Sequence, residues 1–121
     1  MPRAPTELLN DVLRCAQDIV DYARDMDMQA FLAIPERDGK TYRAIKNALS
    51  EMAEAVKNLP AEIKGRHPSV DWRGLSGIRV IIVHRDHRVD MELVWPMVKE
   101  DLLKLIEAVT AELAQAAPRP E

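Results

Sequence analysis

The sequence predicts an all-α protein, a bundle of four or five helices. Three observations predict it. Apolar residues recur at three- and four-residue steps over three long stretches, which begin near Leu8, Tyr42 and Val94. Pro35 and Pro60 fall where such stretches stop. The one stretch with strand propensity, Val80-Ile81-Ile82-Val83, has no second strand to pair with. Alone, a strand would leave its backbone groups unsatisfied.

The elements run in chain order. Leu8, Leu9, Val12, Leu13, Ala16, Ile19, Val20 and Ala23 form one face of an amphipathic helix, with Thr6 as its cap. MQAFLAIPER reads as a short helix or turn stopped near Pro35. A second long helix runs from about Thr41 to Leu59, with Tyr42, Ile45, Leu49, Met52, Ala53 and Val56 inward and Pro60 ending it. GRHPSVDWRG reads as a loop, and Asp71 is placed to cap the next helix. From about Trp72 to His84 the chain is apolar on most sides, as a helix in the centre of a bundle would be. The last helix starts after Asp90 and turns Val94, Val98, Leu102, Leu105, Ile106, Val109 and Leu113 to one face. Pro96 cannot donate to the carbonyl of Glu92, so a kink is expected there.

A chain of 121 residues reads as a single domain, 1–121, with a core from about 6 to 115 and a frayed tail at 116–121. No apolar run is long enough for a membrane span, and MPRAPTELLN lacks the apolar core of a secretory signal. Cys15 is the one cysteine, so no internal disulfide and no thiolate metal site can form. This fits a cytoplasmic protein. Its place on an apolar-periodic stretch reads as a small buried side chain rather than a nucleophile. Net charge is −3, which argues against a constitutive nucleic-acid coat. Its distribution is uneven. Residues 64–88 carry Lys64, Arg66, Arg73, Arg79, Arg85 and Arg88 against Asp71 and Asp86, a net of +4 that leaves −7 for the rest. Such a patch either attracts a polyanion or is a solvated charge run.

Arg79 and His84 suggest chemistry. A guanidinium offers phosphate a planar fork that never loses its proton. An imidazole titrates near neutrality. Together they can cut RNA with neither metal nor cofactor: His moves the proton of a ribose 2′-hydroxyl or of the leaving oxygen, and Arg stabilises charge on phosphorus. Five residues along a straight helix, however, separate two side chains by roughly 140°. Convergence needs a helix end, a bend or a second subunit. A metal site built from His84, His87, Asp86 and Asp90 is opposed by the interleaved Arg85 and Arg88.

The order of several motifs is more specific than that pair. They are Ser50-Glu51-Met52-Ala53-Glu54-Ala55, Pro68, Asp71-Trp72-Arg73, Gly77-Ile78-Arg79, Val83-His84, Val89-Asp90, Val94-Trp95, Val98-Lys99 and Asp101-Leu102. Over most of its length the chain resembles the HepT-like toxins of the HEPN superfamily. The resemblance implies a HEPN-type helical bundle, a two-fold homodimer and a metal-independent endoribonuclease. It also implies a minimal nucleotidyltransferase antitoxin as partner and RNA as substrate. Arg79 and His84 match the family's ribonuclease residues, which meet across the dimer.

Two positions depart from the family pattern. Val80 stands where a polar residue, often Asn, follows the Arg. Asp86 stands where the family has the Tyr that the nucleotidyltransferase modifies. Both favour a second reading, a binding subunit that keeps the partner surface and has lost cleavage. Asp86 could instead orient His84 or His87. His87 is either a supporting site residue or a solvated turn residue. Glu54 matches an acidic position of the family's second helix, where it either holds Arg79 or is a surface acid. Arg73, Arg85 and Arg88 are the candidates for RNA contact. Trp72 and Trp95 read as core anchors at helix starts, and Tyr22 and Tyr42 as poor substitutes for the missing Tyr.

Overall fold

A computed structural model describes residues 3–78 and 89–116. Among them every regular element is helical. Helix α1 spans Pro5–Ala23 and begins one residue before the expected Thr6 cap. Ala4 takes the capping position without a side-chain bond. Pro5 explains the early start: its φ is preset for the first helical turn, and it has no N–H to leave unpaired. Leu8, Leu9, Val12, Cys15, Ala16, Ile19 and Ala23 form the buried stripe.

Two short helices come next, α2 (Met28–Leu32) and α3 (Ile34–Arg37). Asp27 caps α2 by accepting the Ala30 N–H at 2.8 Å. Pro35 lies in the first turn of α3, so it opens a helix where it was expected to close one. Phe31 and Ile34 reach from this pair into the core. Helix α4 spans Gly39–Lys57. Asp38 caps it doubly, accepting the Thr41 N–H at 3.1 Å and the Thr41 hydroxyl at 2.6 Å.

The segment expected to be a loop is helical in part. Helix α5, Ala61–Arg66, takes up its first two residues. Then Asp71 caps α6, Trp72–Ser76, by accepting the Gly74 N–H at 3.0 Å. A Cβ at position 74 would displace the Asp71 carboxylate, so glycine leaves room for the cap. The helix expected from Trp72 to His84 is not continuous: α6 ends at Ser76, with Gly77 as its C-cap. The Arg73 carbonyl there takes two donors, the Gly77 N–H and the Ser76 hydroxyl, both at 3.1 Å. Such local side-chain bonding competes with helix continuation.

After Asp90, which accepts the Glu92 N–H at 3.1 Å, come α7 (Met91–Pro96), a π-helical turn (Met97–Asp101) and α8 (Leu102–Ala116). The irregularity expected at Pro96 takes the form of this π turn. Pro96 withholds an amide from the ladder, and one residue later the bonds widen, so that the Leu102 N–H reaches the Met97 carbonyl. The wider turn keeps Val94, Val98 and Leu102 buried at four-residue steps. Trp95 lies near the end of α7 rather than at a helix start. Its ring packs on Phe31 at a centroid distance of 5.2 Å, and the Lys99 ammonium sits 4.4 Å over it.

Helix α1 packs against both α4 and α8, α6 packs on α4, and α2 packs on α7. The core therefore lies between three long helices and is closed by short ones. None of the described helices is long and apolar enough to cross a membrane.

Candidate functional site

Six sequence-predicted site residues, Arg79, His84, Arg85, Asp86, His87 and Arg88, lie outside the described residues, as does Val80. What the fold does show is how the chain is held on either side of them. On the entry side, the Trp72 indole donates to the carbonyls of Lys64 and His67, each at 3.0 Å. This ties α6 to the end of α5. Leu75 seats α6 against the core, and Ile78, just beyond that helix, is buried as well. On the exit side, Val89 is buried and its N–H donates to the Tyr42 hydroxyl at 2.9 Å. Asp90 then caps α7. Helix α4 thus packs on α6 before the segment and, through Tyr42, bonds the first residue after it.

Two site residues are described. Arg73 is exposed on α6, and no carboxylate among the described residues pairs with it. Glu54 is exposed on α4, and the Asn58 amide donates to its backbone carbonyl at 2.9 Å. It lines an open groove of about 710 Å³ between α1 and α4, with Arg3, Asp11, Arg14 and Glu51 among the other walls. Charges of both signs alternate along this groove, with Arg3 paired to Asp11 and Arg14 paired to Asp11 and Glu51.

One cation of the basic stretch is already paired. Arg66 is committed to Glu112 through two hydrogen bonds, at 3.1 and 2.6 Å. His67 Nε2 lies 2.7 Å from the same carboxylate. Glu112 is buried on α8, and the Arg66 bonds, aided by His67, hold its carboxyl down at about 2 in spite of burial. Sequence reasoning missed this cluster. Its signal was an acid at position 112, three residues beyond Val109 on the core-facing stripe, where burial requires a partner. Cys15, read as inert, is buried, and burial with the nearby Glu51 pushes its thiol up to about 12.

Among the described residues no group of three His, Cys, Asp or Glu side chains could hold a metal ion. Of the four residues weighed as ligands, only Asp90 is described, and it serves as a helix cap. Residues 12–112 match the family described as Ribonuclease HepT-like. The chain belongs to that family. A protein of Methanocaldococcus jannaschii named "Putative RNase MJ0127" is 34% identical over 90 residues, covering 74% of this chain and 71% of its own. One of Thermococcus cleftensis named "Probable ribonuclease HepT" is 32% identical over 105 residues, covering 87% and 92%. A second M. jannaschii protein, "Putative RNase MJ1380", is 30% identical over 102 residues, covering 84% and 89%. No solved structure gives a match. The HepT-like match runs through the segment that carries Arg79 and His84, and through both of its anchors.

Proposed function

We propose that this HepT-like protein is a metal-independent endoribonuclease, the toxin of a toxin–antitoxin pair, with Arg79 and His84 as its catalytic pair. The observation that carries the reading is the family match across residues 12–112, with Arg and His present at positions 79 and 84. The protein acts as a two-fold homodimer in the cytoplasm, with 1–121 as a single domain and no cofactor. A straight helix would set side chains five residues apart at roughly 140° from each other, and two subunits resolve that offset. They also supply two imidazoles. His84 takes the proton of a ribose 2′-hydroxyl, and the 2′-oxygen attacks phosphorus. The bond from phosphorus to the 5′-oxygen breaks, and His84 of the partner subunit returns a proton to that oxygen. Arg79 stabilises the charge on the phosphoryl oxygens. Arg73, Arg85 and Arg88 hold flanking phosphates. Glu54, Asp86 and His87 support the site. A nucleotidyltransferase antitoxin is the partner, and with Asp86 in place of the usual Tyr it neutralises the toxin by binding.

This chemistry leaves 2′,3′-cyclic phosphate and 5′-hydroxyl ends. Mapping the ends of RNA cleaved in the presence of chelator tests it. Cyclic phosphate ends are expected. Products with 3′-hydroxyl ends, formed only with added metal, would contradict it.

Val80 and Asp86 favour a second reading, a HepT-like binding subunit without cleavage. The carboxylate repels RNA phosphate, and Val80 removes a polar group beside the Arg. A protein that binds its nucleotidyltransferase and leaves RNA intact would establish this reading instead.

A further inference from the structure

We propose that Tyr42 is a positioning residue for the catalytic segment, and that its hydroxyl pins the chain at Val89, the first described residue after that segment. The proposal rests on the reading of Arg79 and His84 as the catalytic pair. Tyr42 lies in the first turn of α4, 47 positions away from Val89 in sequence. It is half-buried, and its hydroxyl accepts the Val89 N–H at 2.9 Å in a part-buried setting. Val89 is buried, so its amide would be costly to leave without an acceptor. The bond lies five residues beyond His84 in sequence, just before the Asp90 cap of α7.

Three features give the bond a role beyond general stability. Val89 lies before α7, outside that helix's ladder, and among the described residues its N–H bonds the Tyr42 hydroxyl. The acceptor comes from α4, the same helix that packs on α6 before the segment. Its other end is also built in, because Asp38 fixes the start of α4 four residues before Tyr42. The phenol ring alone would fill the space. The oxygen adds a bond to the backbone just where the chain enters α7. Catalysis at phosphorus is sensitive to displacements of about 1 Å, even when the altered residue lies away from the chemistry. Tyr42 thus acts through the chain it holds and touches no substrate.

Tyr42→Phe removes the oxygen and keeps the ring. Cleavage of a defined RNA should be compared for wild type, Tyr42→Phe, His84→Ala and Val109→Ala, with amide exchange tracked at Val89. Val109→Ala opens a cavity in α8 and serves as a control for lost stability alone. Expected for Tyr42→Phe are a kcat lower by roughly ten- to hundredfold, a KM within about twofold, and Val89 exchange faster by about tenfold or more. Val109→Ala should keep the wild-type kcat at a temperature where it is folded. Wild-type kcat in Tyr42→Phe, while His84→Ala is inactive, would overturn the positioning role and leave the catalytic reading intact. Unchanged Val89 exchange would overturn the pin itself. His84→Ala cleaving like wild type, or a wild type that does not cleave, would defeat the catalytic reading and the positioning role with it.

Discussion

Glu112 shows how one residue can decide the fate of two others. Its buried carboxylate engages Arg66 and His67, so neither is a simple surface charge. Its folded-state pKa of about 2 lies below the ordinary 4.5. The stabilisation is therefore fully present above 4.5 and is lost as pH falls toward 2. Glu112→Gln should lower stability by about 1–2 kcal/mol at neutral pH. The difference from wild type should shrink progressively in acid, as denaturant melts across that window would record. A constant difference down to the lowest pH would mean that packing, not charge, accounts for the loss. Cys15 makes the complementary case. Its thiol sits buried with a pKa pushed up to about 12, so alkylation of the folded protein near pH 8 should be far slower than in denaturant. Comparable rates in the two states would show that the α1–α4 seam opens readily. The Cys15 environment was legible from apolar periodicity. The Glu112 cluster was not, because Glu112 is more than 40 residues from both of its partners and periodicity carries no information on long-range pairing.

At the scale of elements, the long helices were legible and several of their ends were not. Stripes such as Leu8-Val12-Cys15-Ile19 and Ile45-Leu49-Met52-Val56 repeat in register with a helix and need no tertiary knowledge. The ends depend on competition between local bonds. Pro5 took over the start that Thr6 was expected to cap, and Pro35 opened a turn instead of closing one. Gly77, beside the doubly engaged Arg73 carbonyl, ended α6 after five residues. The Asp71 cap was legible, and it carries a prediction. Asp71→Ala should cost about 1 kcal/mol of stability. Asp71→Asn, which can still accept the Gly74 N–H, should recover most of it. Equal losses in both variants would show that the charge, rather than the cap bond, matters. As for the candidate site, Arg79 and His84 stood out by their chemistry and the basic arginines by their clustering, and the family resemblance implied the role of the pair. The structure adds the anchors on either side, above all the Tyr42 bond, which the apolar periodicity around Tyr42 did not reveal.

Across the whole molecule, an acidic protein of net charge −3 carries a basic stretch between its second and last long helices. With Arg66 drawn off by Glu112, Arg73 is an exposed cation of that stretch with no carboxylate partner among the described residues. Its substitution by Ala should weaken RNA binding and lower the salt dependence by about one ion, read from the slope of affinity against salt. The proposed two-fold dimer is open to light scattering: a dimer is expected at micromolar concentration, and a monomer alone would contradict it. The central claim is that Arg79 and His84 perform the cleavage. It is tested most directly by measuring RNA cleavage in chelator for wild type and for a folded Arg79→Ala, His84→Ala double variant. Wild type should cleave, and the double variant should fall by at least about 10²–10³ in rate; equal cleavage by the two proteins would contradict the assignment.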